Sequence, residues 1–219
     1  MEERTIAAVC TGRYLLSRPS GDAGAPLLVG CHGYGENARG HLEQLDRIPG
    51  AETWVRCAVE ALHPFYNTKT GEVVGCWMTS RDRELAIEDN VGYVARVIAA
   101  VRREVACSDV LVLAGFSQGT AMAYRAAIRS GFRCRGLIIL AGDVPPELQG
   151  DGHHPFPPVL LGRGSADAWY SDEKMRRDLE VLAARGAAVT TCVFEGGHEW
   201  GRDFVDAAGA FLKGLAGAR

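Results

Sequence analysis

Short apolar runs alternate along this chain with stretches whose apolar residues recur every three or four positions, and glycine-bearing turns separate them. Six runs read as strands: 27–31, 55–62, 110–114, 136–141, 158–161 and 188–194. They are continuous rather than alternating, as in Leu111-Val112-Leu113-Ala114, which is how strands buried on both faces read. Between them Ile87, Val91, Val94, Ile98, Val101 and Val105 form one helical stripe. Met175, Leu179 and Leu182 form a second, which Gly186 is placed to end, and Phe204, Ala208, Phe211 and Leu215 a third. This alternation predicts βαβ units, hence an α/β fold with a mostly parallel central sheet and helices on both faces. Residues 5–9 and 13–16, either side of a Thr-Gly turn, are expected to add an antiparallel pair at the start. The proline-rich stretch 145–158 reads as a loop and not as a linker, so residues 1–219 are expected to form one domain.

Size and charge narrow the picture. The 219 residues, 47% hydrophobic and 23% charged, suffice to bury one sheet between two helical layers. A net charge of −3 with scattered cations argues against a nucleic-acid partner. No apolar run is long enough to cross a membrane, and Met1-Glu2-Glu3-Arg4 lacks the basic-then-apolar order of a secretion signal. No stable membrane anchor is expected. Seven cysteines, odd in number and without a Cys-x-x-Cys pair, suit a reducing, cytoplasmic setting.

The chemistry enters at the strand ends. Gly115-Phe116-Ser117-Gln118-Gly119 follows the apolar run 110–114 and precedes a helical segment at 120–129. A Gly-x-Ser-x-Gly sequence in that setting predicts a tight strand-to-helix elbow that projects the serine hydroxyl. A glycine-rich turn with a capping serine gives the same five letters; the strand before and the helix after favour the elbow. A serine nucleophile needs a base, and His198, just after the last strand, is the candidate. His41 falls on a helix, His63 follows a strand, and His153 and His154 lie in the proline-rich loop. Asp167, after the strand at 158–161, is expected to orient the imidazole, with Asp143 as its competitor after the preceding strand. The order Ser117, Asp167, His198 is that of the α/β-hydrolase fold. The turn His32-Gly33-Tyr34-Gly35 follows the strand at 27–31 and leaves backbone N–H groups to face a substrate oxygen. Tyr34 and Gln118 are the expected oxyanion donors.

These residues together resemble the bacterial phospholipase/carboxylesterase family, relatives of the acyl-protein thioesterases within a wider dienelactone-hydrolase-like group. The resemblance rests on residues 32–37, 115–119, 164–167 and 196–200, and so spans most of the chain. It implies Ser117, Asp167 and His198 as triad and Tyr34 and Gln118 as oxyanion donors. The dienelactone hydrolases carry Cys at the elbow, and Ser117 separates this chain from them. Glu36 stands where the thioesterases usually show Asp, Thr120 where they usually show Gly, and an acidic residue expected after Trp77 is missing. These departures leave the hydrolase reading intact and weaken a role in protein depalmitoylation.

The segments 63–83 and 143–157 are the largest left over near the strand ends, and each is too short for a large cap. His63, Phe65, Trp77 and Trp169 are expected to wall a shallow apolar cleft, joined by Tyr34, Tyr66 and Met78, with Arg81 available to an anionic group. The expectation is an esterase or thioesterase acting on small molecules with short to medium acyl chains. Alternatives on the same triad are a phospholipase or acyl-protein thioesterase, a peptidase or a carbohydrate-ester hydrolase. A non-catalytic binding member of the fold is the alternative outside enzymes. No metal-ligand spacing or nucleotide-binding glycine motif occurs, so no metal or other cofactor is expected.

Overall fold

The computed structural model describes residues 1–20, 24–150 and 155–217. His153 and His154 lie outside the described residues. The strands are β1 (Tyr14–Ser17), β2 (Ala25–Cys31), β3 (Val55–Val59), β4 (His63–Tyr66), β5 (Val73–Cys76), β6 (Cys107–Phe116), β7 (Gly136–Leu140), β8 (Val159–Gly164) and β9 (Val189–Phe194). The helices are α1 (Ala38–Asp46), α2 (Arg83–Glu104), α3 (Gln118–Arg129), α4 (Asp172–Ala184) and α5 (Arg202–Gly217). Seven strands form one sheet in the order β1-β3-β2-β6-β7-β8-β9, parallel except for β1.

The apolar runs explain the middle of this sheet. Leu27, Leu28, Leu111, Val112, Leu113, Leu137, Ile138, Leu160 and Leu161 are wholly buried. Each such side chain contributes about 1.5–3 kcal/mol by leaving water. The chain runs one way from β2 through α1 to β3, and the other way from β6 through α3 to β7 and α4 to β9. Right-handed crossovers in opposite directions place these helices on opposite faces. One face carries α1 and α5, joined through the edge-on rings of His41, Trp200 and Phe204. The other carries α2, α3 and α4. Among the described residues no large cap covers the carboxyl edge; this is the α/β-hydrolase architecture.

Two expectations need correction. Residues 1–13 contain no strand, and β1 pairs with β3, Tyr14 opposite Val59, instead of with the segment before it. Residues 1–11 are exposed throughout, Ile6 and Val9 included, and pack against no neighbouring strand. The run at 55–62 stops at Val59, and a two-stranded hairpin, β4 with β5, follows within the segment 63–83, where no strand was expected. Asn67 makes its turn, its Oδ1 accepting from the N–H groups of Lys69 at 3.0 Å and Thr70 at 3.4 Å. Pro64 and the exposed His63 and Tyr66 hide this strand in an apolarity reading.

Candidate active site

Strand order decides where a site can form. Between β2 and β6 the chain leaves the sheet in opposite directions, and such switch points open a crevice at the carboxyl ends of the strands. The turn 32–35 follows β2 and Ser117 follows β6, so both border that crevice. Asp167 and His198 follow the neighbouring strands β8 and β9.

Ser117 is held at φ 52° and ψ −119°, a region that side chains rarely adopt. The glycines on either side make the turn possible by close approach. A Cβ on Gly119 would lie 2.0 Å from the carbonyl oxygen of Cys31, and one on Gly115 2.5 Å from that of Gly119. Although Ser117 occupies the N-cap position of α3, its hydroxyl makes no capping bond. It instead lies 2.7 Å from Nε2 of His198, whose Nδ1 lies 2.8 Å from Oδ2 of Asp167. A carboxylate only accepts, so the proton is on Nδ1 and the Ser117 hydroxyl donates to Nε2. The other oxygen of Asp167 accepts from the N–H groups of Trp169 and Tyr170 at 2.8 and 2.9 Å. The Asp167 side chain is fully buried and the imidazole about one quarter exposed, with the Phe116 ring beside it at 5.0 Å.

Beside Ser117 the backbone amides sort themselves. In the turn after β2, Gly33 N–H donates to Glu36 Oε2 at 2.8 Å, Gly35 to the carbonyl of Gly75 at 3.0 Å, and Glu36 to that of Gly33 at 3.3 Å. Tyr34 N–H is left without an acceptor among the described residues, and so is that of Gln118 at the start of α3. The turn is held from below by His32, fully buried, whose Nδ1 donates to Gly33 O at 2.7 Å while Nε2 accepts from Ala61 N–H at 3.0 Å. Burial pushes the Glu36 carboxyl above its usual range, against the Gly33 bond and the nearby imidazoles of His32 and His198.

The decisive comparison is with sequence families: the profile of the phospholipase/carboxylesterase family matches residues 18–215. The chain belongs to that family. As a member it is a carboxylic ester hydrolase. Solved structures of similar fold include esterase PE8, at 23% identity and TM-score 0.77 over 94% of this chain and all of the other. The Bacillus cereus carboxylesterase follows at 16% identity and 0.76, over 93% and 94%. Zea mays acyl-protein thioesterase 2 aligns at 20% identity and 0.71, over 94% and all of its chain. Comparison with curated proteins finds no match.

A cavity of about 320 Å³ opens beside Ser117 of this esterase-family chain. Its apolar wall comes from Met78, Ala121, Val144, Pro145 and Pro146, with Trp169 and His198 at the rim. Among the residues expected to wall a cleft, only Trp169 and Met78 border it. Trp77 has no exposed surface; its indole N–H donates to the His32 carbonyl at 2.8 Å, and it therefore supports the turn from inside. Phe65 lies against the Tyr34 ring at 5.4 Å, and His63 is exposed on β4. Asp143 borders the cavity but pairs with Lys174 at 3.3 Å, leaving His198 to Asp167. Arg81 is not among the lining residues, whereas Arg83 is. The side chain of Gln118 has a role that its sequence position does not advertise. It accepts from Trp77 N–H and donates to the Met78 carbonyl, both at 2.9 Å, fastening the elbow to the segment after β5. Among the described residues no cluster of three potential metal ligands occurs, and no helix is long and apolar enough to cross a membrane.

Proposed function

We propose that this chain is a serine carboxylesterase that cleaves short- to medium-chain acyl esters or thioesters through an acyl-enzyme on Ser117. The observation that carries the reading is the hydrogen-bonded chain Ser117–His198–Asp167 opening beside two backbone amides without acceptors. As Ser117 Oγ bonds to the substrate carbonyl carbon, its proton passes to His198 Nε2 and the carbonyl electron pair moves onto oxygen. The N–H groups of Tyr34 and Gln118 receive that oxyanion, an effect worth about 3–4 kcal/mol per donor in related chemistry. Collapse expels the alcohol or thiol, which takes the proton from Nε2. Water then repeats the sequence on the acyl-enzyme and frees the acid. Asp167, held by two backbone N–H groups, keeps Nδ1 protonated and Nε2 ready to accept. Free thiols at all seven cysteines suit a reducing, cytoplasmic location.

The size of the cavity beside Ser117 favours small acyl groups. Each methylene beyond what it buries forgoes up to about 0.8 kcal/mol, so kcat/KM over a series of 4-nitrophenyl esters is expected to level off at short to medium chains. Fluorophosphonate probes are expected to label Ser117. A chain that takes no label and hydrolyses no ester would be a binding member of the fold, and kcat/KM rising steadily into long chains would overturn the size preference.

A further inference from the structure

The cavity beside Ser117 has cationic side chains in its lining as well as apolar ones. Arg83, Arg125 and Lys174 line it, and Asp143 is the one carboxylate among the lining residues. Lys174 and Asp143 answer each other at 3.3 Å. The two arginines share a single carboxylate, Glu147, at 2.9 Å from Arg83 and 2.6 Å from Arg125, and Glu147 does not line the cavity. Two guanidinium groups against one carboxylate leave a positive charge.

Arg125 holds that charge in an unusual place. Its side chain is only 2% exposed, yet only its Nε meets a strong acceptor. Nη1 faces the thioether sulfurs of Met78 at 3.6 Å and Met122 at 3.9 Å, which are weak acceptors. Nη2 has no hydrogen bond among the described residues. Buried guanidinium groups are ordinarily fully bonded, because an unpaired buried charge is strongly destabilising. The open side of this one borders the cavity.

The helix sets the distance. Gln118, Ala121 and Arg125 line the cavity at spacings of three and four, one face of α3. Seven residues of helix advance about 10 Å, and long side chains on a helix lean back toward its N-terminus. The guanidinium therefore lies a short alkyl chain from Ser117, and Met78, Ala121, Val144 and Pro146 give the same cavity its apolar lining.

We propose that this cavity is a subsite for a carboxylate, and that the preferred substrates carry a second, free carboxylate a short chain from the scissile ester, seated on Arg125 and Arg83. The inference rests on Ser117 being the nucleophile. The carboxylate belongs to the acyl part or to the alcohol part, and two substrate arms separate these. One arm compares mono-4-nitrophenyl esters of adipic and pimelic acid with uncharged 4-nitrophenyl esters of equal length, the uncatalysed rate being subtracted. The other compares acetate esters of ω-hydroxy acids with the corresponding amides.

In one arm the free carboxylate is expected to raise kcat/KM at least about tenfold at low salt, the effect of one charge-assisted hydrogen bond. Arg83→Gln, at a half-exposed position, and Arg125→Met are each expected to bring that ratio toward one. If Arg125→Met alone does not fold, the double variant Arg125→Met with Glu147→Met removes the whole pair and is expected to do the same. A wild-type ratio at or below one in both arms overturns the subsite while neutral esters are still cleaved. A ratio unchanged in Arg83→Gln and in the folded Arg125 variant overturns it as well. Failure to cleave any ester, charged or neutral, would instead overturn the esterase reading on which it rests.

Discussion

The backbone at Ser117 is held where side chains rarely sit. A side chain at positive φ costs about 1–3 kcal/mol and persists only where the surroundings impose it. Here β6, α3 and the carbonyl of Cys31 do so. Ser117→Ala is expected to fold with an unchanged melting temperature to within a few degrees and to lose ester hydrolysis; a folded, fully active Ser117→Ala protein would refute the nucleophile assignment. Asp167→Asn is expected to slow kcat by about 10⁴, since an amide in that place favours the wrong imidazole tautomer. Asp143→Asn should cost little, because its partner Lys174 and it are both substantially exposed and such pairs contribute at most about 1 kcal/mol. Comparing kcat for the two variants checks the assignment, and a reversed ranking would move the acid to the end of β7.

At the scale of elements, α3 fits against the end of β2 with no room for a side chain at Gly119. Gly119→Ala would drive a methyl group into the Cys31 carbonyl, and no flexible side chain is there to yield. The expected result is a loss of several kcal/mol of stability, as for other overpacked sites, together with displacement of the Gln118 amide. Urea unfolding of this variant checks the first part; an unperturbed midpoint would mean that the elbow and β2 stand farther apart. The sequence carries much of this geometry. Continuous β-branched and leucine runs such as 110–114, bounded by turn residues, read as doubly buried strands, and the Gly-x-Ser-x-Gly letters after one of them locate the elbow. The segment 63–76 was illegible because its strands are only four residues long and β4 is mostly exposed and contains Pro64, so no period emerges. For the same reason Trp77 reads as a cleft aromatic, although its indole is spent on His32. The cavity was also beyond a linear reading, since its wall comes from α2, α3, α4 and the loops after β5, β7 and β8, which only the sheet order brings together.

Across the whole molecule, several buried or half-buried ionisable groups make stability depend on pH, and they act in opposite directions. Burial pushes the His41 imidazole down to about 3, with the neighbouring His32 adding to the effect, and neither ring nitrogen has a partner among the described residues. In the unfolded chain the same group titrates near its ordinary value of about 6.5. The stability that follows from keeping it neutral is complete above that value and is lost as pH falls toward 3. Glu147 acts in the same direction over a lower window. Burial raises its carboxyl, but the bonds from Arg125 and Arg83 outweigh this and hold it at about 2, so its contribution is present above about 4.5 and fades below.

Asp178 opposes both. Burial lifts its carboxyl to about 6, although Tyr170 O–H and Val144 N–H both donate to Oδ2, at 2.8 and 3.1 Å. Its folded form holds a proton that the unfolded chain gives up near pH 4, so the associated stability is present in acid and disappears as pH rises through 6. Asp178→Asn keeps an oxygen for both donors and cannot ionise. Relative to the wild type, this variant is therefore expected to gain stability between pH 4 and pH 8, the gap opening mainly between 4 and 6. His41→Leu should show the contrary pattern, its difference from the wild type shifting between pH 6.5 and 4 because the variant escapes the acid loss. Thermal melts of the three proteins at closely spaced pH values measure both. A difference between wild type and Asp178→Asn that stays constant from pH 4 to 8 would mean that the carboxylate is ionised in the fold as readily as in the open chain, and that α4 is docked on the loop after β7 by a charged group.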